Sequence, residues 1–334
     1  MLVHQLSISQ KKSKSLSIKL LFLKGCYMRK MWLLPIIGTI GNFFSVLMIL
    51  LIPGAIIVMI LAALLHISDS VAMYILMVVI FGYPVYLFYM GASGKGASKV
   101  EKIFGSRQFT QEEGEILMPL ISEVLEKHNL VSGTNWQYGK DLDITIAEND
   151  NINAIAFGKT HVIFNTGLLN VSDQNVFKAI LAHEIAHLHH KDTLIGLTNY
   201  YVQIPTQIVL NVFNSYKVAG HLKDGLKYAG RGGSKSFDKA WSGLFMKIYF
   251  SPALLVGSIV NFICNTIQKA LSKQQEFAAD TYAVKLGYAD GLLTFFKSEQ
   301  SSHVKPNRLM KLFESHPEPK LRIENVKAIL EQSK

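Results

Sequence analysis

The chain has 334 residues, of which 49% are hydrophobic and only 17% charged, with a formal net charge of +10. Soluble domains carry about 25% charged residues, so this composition argues against an ordinary soluble enzyme and for a membrane class. The positive charge does not imply nucleic acid, because no aromatic-interleaved basic face accompanies it. The two cysteines, Cys26 and Cys264, show neither metal-type spacing nor a disulfide framework.

Residues 1–30 form a basic N-terminal extension, with Lys11, Lys12, Lys14, Lys19, Lys24, Arg29 and Lys30 and no acidic residue. Its apolar stretch is too long for a secretory signal and no small-residue cleavage site follows, while Met28 and Met31 are alternative starts. Residues 31–92 are expected to make a transmembrane hairpin of two spans. Trp32 to Leu65 is almost wholly apolar with a break offered by Pro53-Gly54, His66–Ser70 interrupts it, and residues 71–90 are long enough for a second crossing of about 30 Å. Lys95, Lys99, Lys102 and Arg107 follow the second span, whereas residues 66–70 hold no Lys or Arg, so the positive-inside rule puts both ends of the hairpin in the cytoplasm.

Residues 93–334 read as the catalytic domain. Thr110-Gln111-Glu112-Glu113 precedes the periodic run Ile116, Leu117, Leu120, Ile121, Val124, Leu125, which predicts a capped amphipathic helix. Leu142–Ala147, Ala154–Phe157 and His161–Asn165 are strand candidates separated by turn-formers. Ser172-Asp173 then opens a helix to about His190. Two further apolar segments, about 194–213 and 242–267, flank a basic loop at 217–239; residues 183 and 276 must lie on one side of the bilayer, so both segments cross or neither does.

The chemistry starts at His183-Glu184-Ile185-Ala186-His187. Residues four apart share a helix face, so both imidazoles can reach one zinc ion, and Glu184 can contact the attacking water as general base. Such a match arises by chance in on the order of 1% of chains this long. Catalytic zinc takes three protein ligands, and Gln275-Glu276-Phe277-Ala278-Ala279-Asp280 supplies Glu276 as the third, with Asp280 one turn on to orient a ligand histidine. His189 and His190 fall off the metal-facing stripe and are expected to be structural; His128, His161 and His303 receive no role.

These motifs, with Asn153–Gly158, Thr166-Gly167-Leu168-Leu169 and Ser315-His316-Pro317 followed by Arg322, resemble the HtpX-like zinc metallopeptidases, relatives of the CAAX prenyl protease and of the BepA and Oma-type peptidases. The resemblance implies an α+β, mainly helical gluzincin-type domain with a small sheet, anchored by N-terminal transmembrane helices. It implies a zinc-dependent endopeptidase that removes misfolded or surplus membrane proteins, in a bacterial-type inner membrane with the catalytic domain facing the cytoplasm. It makes Asn153, Ala154, Ile155, Ala156 and Phe157 an edge strand that binds protein or peptide substrates as an extended strand. It gives His316 a part in stabilising the oxyanion or in occupying the open zinc position in a resting state, and Arg322 a part in supporting that loop or polarising a carbonyl. The expected partners are substrate and the lipid bilayer, not nucleic acid; oligomeric state stays open. The alternatives are a processing protease for one dedicated substrate, such as a prenylated or secreted peptide, and a non-enzymatic membrane scaffold.

Overall fold

The computed structural model describes residues 35–44, 55–215, 271–301 and 318–332, with single helical positions at 33, 47, 255, 259, 262, 263 and 266. The described chain is mainly helical around one three-stranded sheet. Helices α1 (Pro35–Phe44) and α2 (Ala55–Leu64) precede α3 (Asp69–Ala92). Among the described residues α3 is the helix long and apolar enough to cross a membrane, over Ser70–Ala92. Met73, Met77, Phe81, Val85 and Tyr89 are exposed along it, as suits a lipid-facing surface. Of the first expected span, over 32–65, the structure describes α1, α2 and a few further positions, while the stretch around Pro53-Gly54, residues 1–30 and 217–239, and most of 242–267 lie outside the described residues.

Past α3, the short amphipathic helix α4 (Ala97–Phe104) ends at Gly105, and Arg107 pairs its backbone with Ile146. Helix α5 (Gln111–Ser132) opens with the expected capping box: Thr110 Oγ1 accepts the Glu113 N–H at 3.2 Å, and Glu113 accepts the Thr110 N–H at 2.8 Å. Arg107 donates both to Glu113, at 2.7 and 2.8 Å, and to Glu148 at 2.9 Å, tying the helix start to the end of the first strand.

Strands β1 (Asp143–Ala147), β2 (Ala154–Phe157) and β3 (His161–Asn165) lie in the order β1-β3-β2, with β3 parallel to β1 and antiparallel to β2. β2 is therefore an edge. Successive side chains of a strand alternate faces, so the sheet has two apolar coats. Ile144, Ile146, Val162, Phe164 and Ala154 join the main core with α5, α7 (Gln174–His190), α9 (271–285) and α10 (Ala289–Ser301). Ala147, Ile155, Phe157 and Ile163 face the other way, into a second cluster with Leu87 and Met90 of α3, Ala97 and Val100 of α4, and Leu197 and Tyr201 of α8 (Asp192–Ser215).

The 194–213 segment is thus one continuous helix, α8, with buried Leu194, Leu197, Thr198 and Tyr201. It lies closely along α3: a Cβ on Gly91 would collide with the Thr198 backbone, and Gly38 of α1 abuts Val202. Only glycine allows that approach. A short helix α6 (Thr166–Leu169) follows β3, and α11 (Pro319–Gln332) closes the described chain.

Candidate metal centre

Helix α7 starts on Asp173, whose side chain caps the Asn175 N–H at 2.8 Å, and most of its residues, Val176 to Leu188 above all, are buried. Its apolar residues Val176, Ala179, Ile180 and Ile185 lock the helix into the main core, which fixes the rotation at which His183 and His187 emerge. Helix α9 is locked likewise through Ala279, Tyr282 and Ala283, and it presents Glu276 and Asp280 one turn apart.

The two helices bring four side chains together. His183 Nε2 and His187 Nε2 lie 3.1 Å apart; Glu276 Oε2 is 3.3 Å from the first and Oε1 is 3.5 Å from the second. Two ligands at about 2.0–2.1 Å from a tetrahedral zinc lie roughly 3.3 Å apart, so these spacings fit one ion. His183, His187 and Glu276 are all buried, and their ligand atoms fall within 4.8 Å of one another. The donor set fits as well: two imidazoles and a carboxylate suit zinc, and buried carboxylates outnumber the one buried guanidinium nearby.

Each histidine is oriented from behind. His183 Nδ1 lies 3.0 Å from Asp280 Oδ1, and His187 Nδ1 lies 3.3 Å from Asp192 Oδ2, which leaves both Nε2 atoms for a ligand. Burial presses the His187 ring towards neutrality, but Asp192 and Glu276 outweigh it and hold its pKa well above the usual value. Carboxylates that favour a proton on that ring favour a metal cation in the same place. Asp280 feels burial most strongly, yet the Arg322 and His183 hydrogen bonds prevail and keep its pKa below the usual carboxylate value.

Arg322, from α11, is itself buried and forks onto Asp280, with Nε to Oδ2 at 2.9 Å and Nη2 to Oδ1 at 2.6 Å. Its Nη2 is also 3.5 Å from Glu276 Oε2, and its guanidinium carbon stands 4.2 Å from the centre of the Phe296 ring. His316 lies outside the described residues.

Glu184 points to the sheet. Its Oε2 accepts the Ala156 N–H at 2.8 Å, a main-chain donor on the free edge of β2. The other outward donor, the Ala154 N–H, is capped by Asn153 Oδ1 at 2.9 Å. Asn153 and Ile155–Phe157 complete the strand expected to receive substrate, and it runs directly beside the metal helix.

Sequence reasoning missed Asp192 and the Ala156–Glu184 bond. An acidic residue five positions beyond His187 was the available signal for the first. His189 turns to the opposite flank, stacked on Tyr282 at 5.6 Å, and takes no part in the centre. A second His/carboxylate group, Glu101, Asp143 and His161, is partly exposed, and His161 already lies 3.4 Å from Asp143; it is assigned no ion.

A family model described as "Peptidase family M48" matches residues 123–330, which contain every residue of this centre. The chain belongs to peptidase family M48. It is similar to the HtpX homologue of Desulfotalea psychrophila, at 24% identity over 56% of this chain and 67% of that protein. It is also similar to protease HtpX of Pasteurella multocida, at 28% over 43% and 46%, and to the HtpX homologue of Aquifex aeolicus, at 23% over 56% of each. The matches thus cover between about half and two thirds of those relatives. The M48 chain is HtpX-like, a metalloprotease of the zinc-dependent kind.

Proposed function

We propose that this M48 chain is a membrane-anchored zinc endopeptidase that cuts misfolded or surplus membrane proteins, with its catalytic domain on the cytoplasmic face. The observation that carries the reading is the union of a buried His183–His187–Glu276 set with Glu184 hydrogen-bonded to the free edge of β2. A metal-ligand set, a base and a peptide-binding edge in one place are the parts that hydrolysis of an extended chain requires. The apolar α3, with its exposed large side chains, supports the anchor, and the basic residues flanking the N-terminal apolar region support the orientation.

His183, His187 and Glu276 would hold the zinc. A zinc ion bound there supplies Lewis acidity, lowering the pKa of a water to about 7 and polarising the peptide carbonyl. Asp280 and Asp192 keep the two imidazoles in the tautomer whose Nε2 lone pair faces the ion, and Arg322 holds Asp280 ionised and in place. An incoming peptide carbonyl takes over the Ala156 N–H from Glu184. That exchange aligns the substrate and frees a carboxylate oxygen. Glu184 then holds the proton removed from water and passes it to the leaving amine nitrogen.

Glu184→Gln should retain zinc and lose cleavage of an unfolded protein substrate by about 10²–10⁴-fold, the usual worth of a positioned acid–base group. His183→Ala should lose the metal. Zinc content and proteolysis measured on the same purified membranes check both, and full cleavage by Glu184→Gln would refute the assignment.

A further inference from the structure

The edge strand is fastened to the point where the chain leaves α3. Ile155 and Phe157 pack with Leu87 and Met90, which lie in the last two turns of that helix. The turn that follows β2 is held at the same place. A Cβ on Gly158 would lie 3.0 Å from Ala97 Cβ and 3.9 Å from the Gly94 carbonyl, and one on Gly94 would lie 3.2 Å from Lys159 Cγ. Both glycines have positive φ, 69° and 79°, so the close approach and the chain reversals come together. Thr193 Oγ1 donates to the Gly158 carbonyl at 2.9 Å, and Tyr201 Oη donates to the Gly96 carbonyl at 3.0 Å. These contacts tie turn, α4 and α8 into one rigid joint.

That joint sets a distance. Gly94 is two residues past Ala92, the end of the 23-residue apolar stretch. Such a stretch is about 34 Å long, close to the roughly 30 Å of a hydrocarbon core, which puts its C-terminal end at the bilayer boundary. Ala156 is two residues from Gly158, or about 7 Å along a strand. The N–H that aligns substrate therefore sits on the order of 10 Å from the boundary, about three residues of extended chain.

We propose that this joint acts as a ruler, so that the preferred substrates are membrane proteins cut within about three to eight residues of the end of an apolar span. The proposal rests on the peptidase and membrane readings above. A substrate span lying in the same bilayer delivers its adjoining chain to β2 at high effective concentration. A spacer too short to reach gives none, and one longer than needed dilutes the cleavable segment as roughly the −3/2 power of its length.

The test uses the full-length, zinc-loaded protein in liposomes with probes of one apolar span, a Gly/Ser spacer and a fixed cleavable segment. Cleavage should be negligible with a spacer of about one residue, greatest near five, and about 15-fold lower at 30. The same segment as a soluble peptide, at equal bulk concentration, should be cut more slowly than the best tethered probe. Rates independent of spacer, or highest at the longest spacer, overturn the ruler while leaving the peptidase reading intact. Failure to cut any probe, tethered or soluble, with zinc bound counts against the peptidase reading itself, and the ruler falls with it.

Discussion

The last eight residues of α7 hold four histidines, and the two flanks of the helix treat them in opposite ways. On one flank His183 and His187 face Glu276, Asp280 and Asp192, and the carboxylates raise the His187 pKa despite its burial. On the other flank His189 stacks on Tyr282 and stands 5.3 Å from His128, which packs 4.5 Å from Trp136. There burial first, and then His189, push the His128 pKa down to about 4. The same residue type invites a cation where carboxylates surround it and excludes charge where aromatic rings do. Neighbours decide the chemistry, and each flank can be tested separately.

The largest effect is expected on the acidic flank at Arg322. Arg322→Leu leaves Asp280 buried without its guanidinium partner, which should cost about 3–5 kcal/mol, read as a large drop in melting temperature of the purified protein. Adding Asp280→Asn should recover a substantial part of that loss. If Arg322→Leu alone is neutral, the charge balance on this flank has been misread.

Asp192→Asn should cost less. Losing a partner of this kind weakens metal affinity by about 10–100-fold, measurable by zinc competition with a chelator. Asp290→Asn, at an exposed position on α10, should leave affinity unchanged.

The smallest effect belongs to the aromatic flank. The folded pKa of His128, about 4, lies below its unfolded value of 6.5, so the neutral ring contributes stability that is fully present above pH 6.5. That stability is lost as pH falls from 6.5 towards 4, by about 1.4 kcal/mol between pH 7.5 and 5.5. Subtracting the pH profile of a His128→Asn variant from that of the parent isolates this contribution. A flat difference would remove the contrast between the flanks.

The elements of the sheet and α7 were readable because local signals agreed with the fold. Thr110 and Glu113 announced a cap, turn-formers between the strands set them off, and the four-residue spacing of His183 and His187 needs only a helix to become a metal site. Glu276 was reachable by demanding a third ligand. Asp192 was hidden because Lys191, a non-glycine residue at φ 64°, ends α7 and restarts the chain as α8, a bend that no residue type there announces. The Arg322–Asp280 fork and the Ala156–Glu184 bond join residues 42 and 28 positions apart, and only tertiary packing brings them together. The crossing proposed for the apolar N-terminal region was legible only as charge asymmetry and length, since lipid-facing helices have no alternation to read.

The single left-handed residue between α7 and α8 has a consequence for the lineage of such chains. His187 and Asp192 stand on either side of Lys191, so their meeting is fixed by a count of residues rather than by a flexible linker. One inserted residue would swing the acid by about 100° around the α8 axis and part it from the imidazole. This stretch should therefore tolerate substitution at its solvent-facing positions while admitting neither insertion nor deletion.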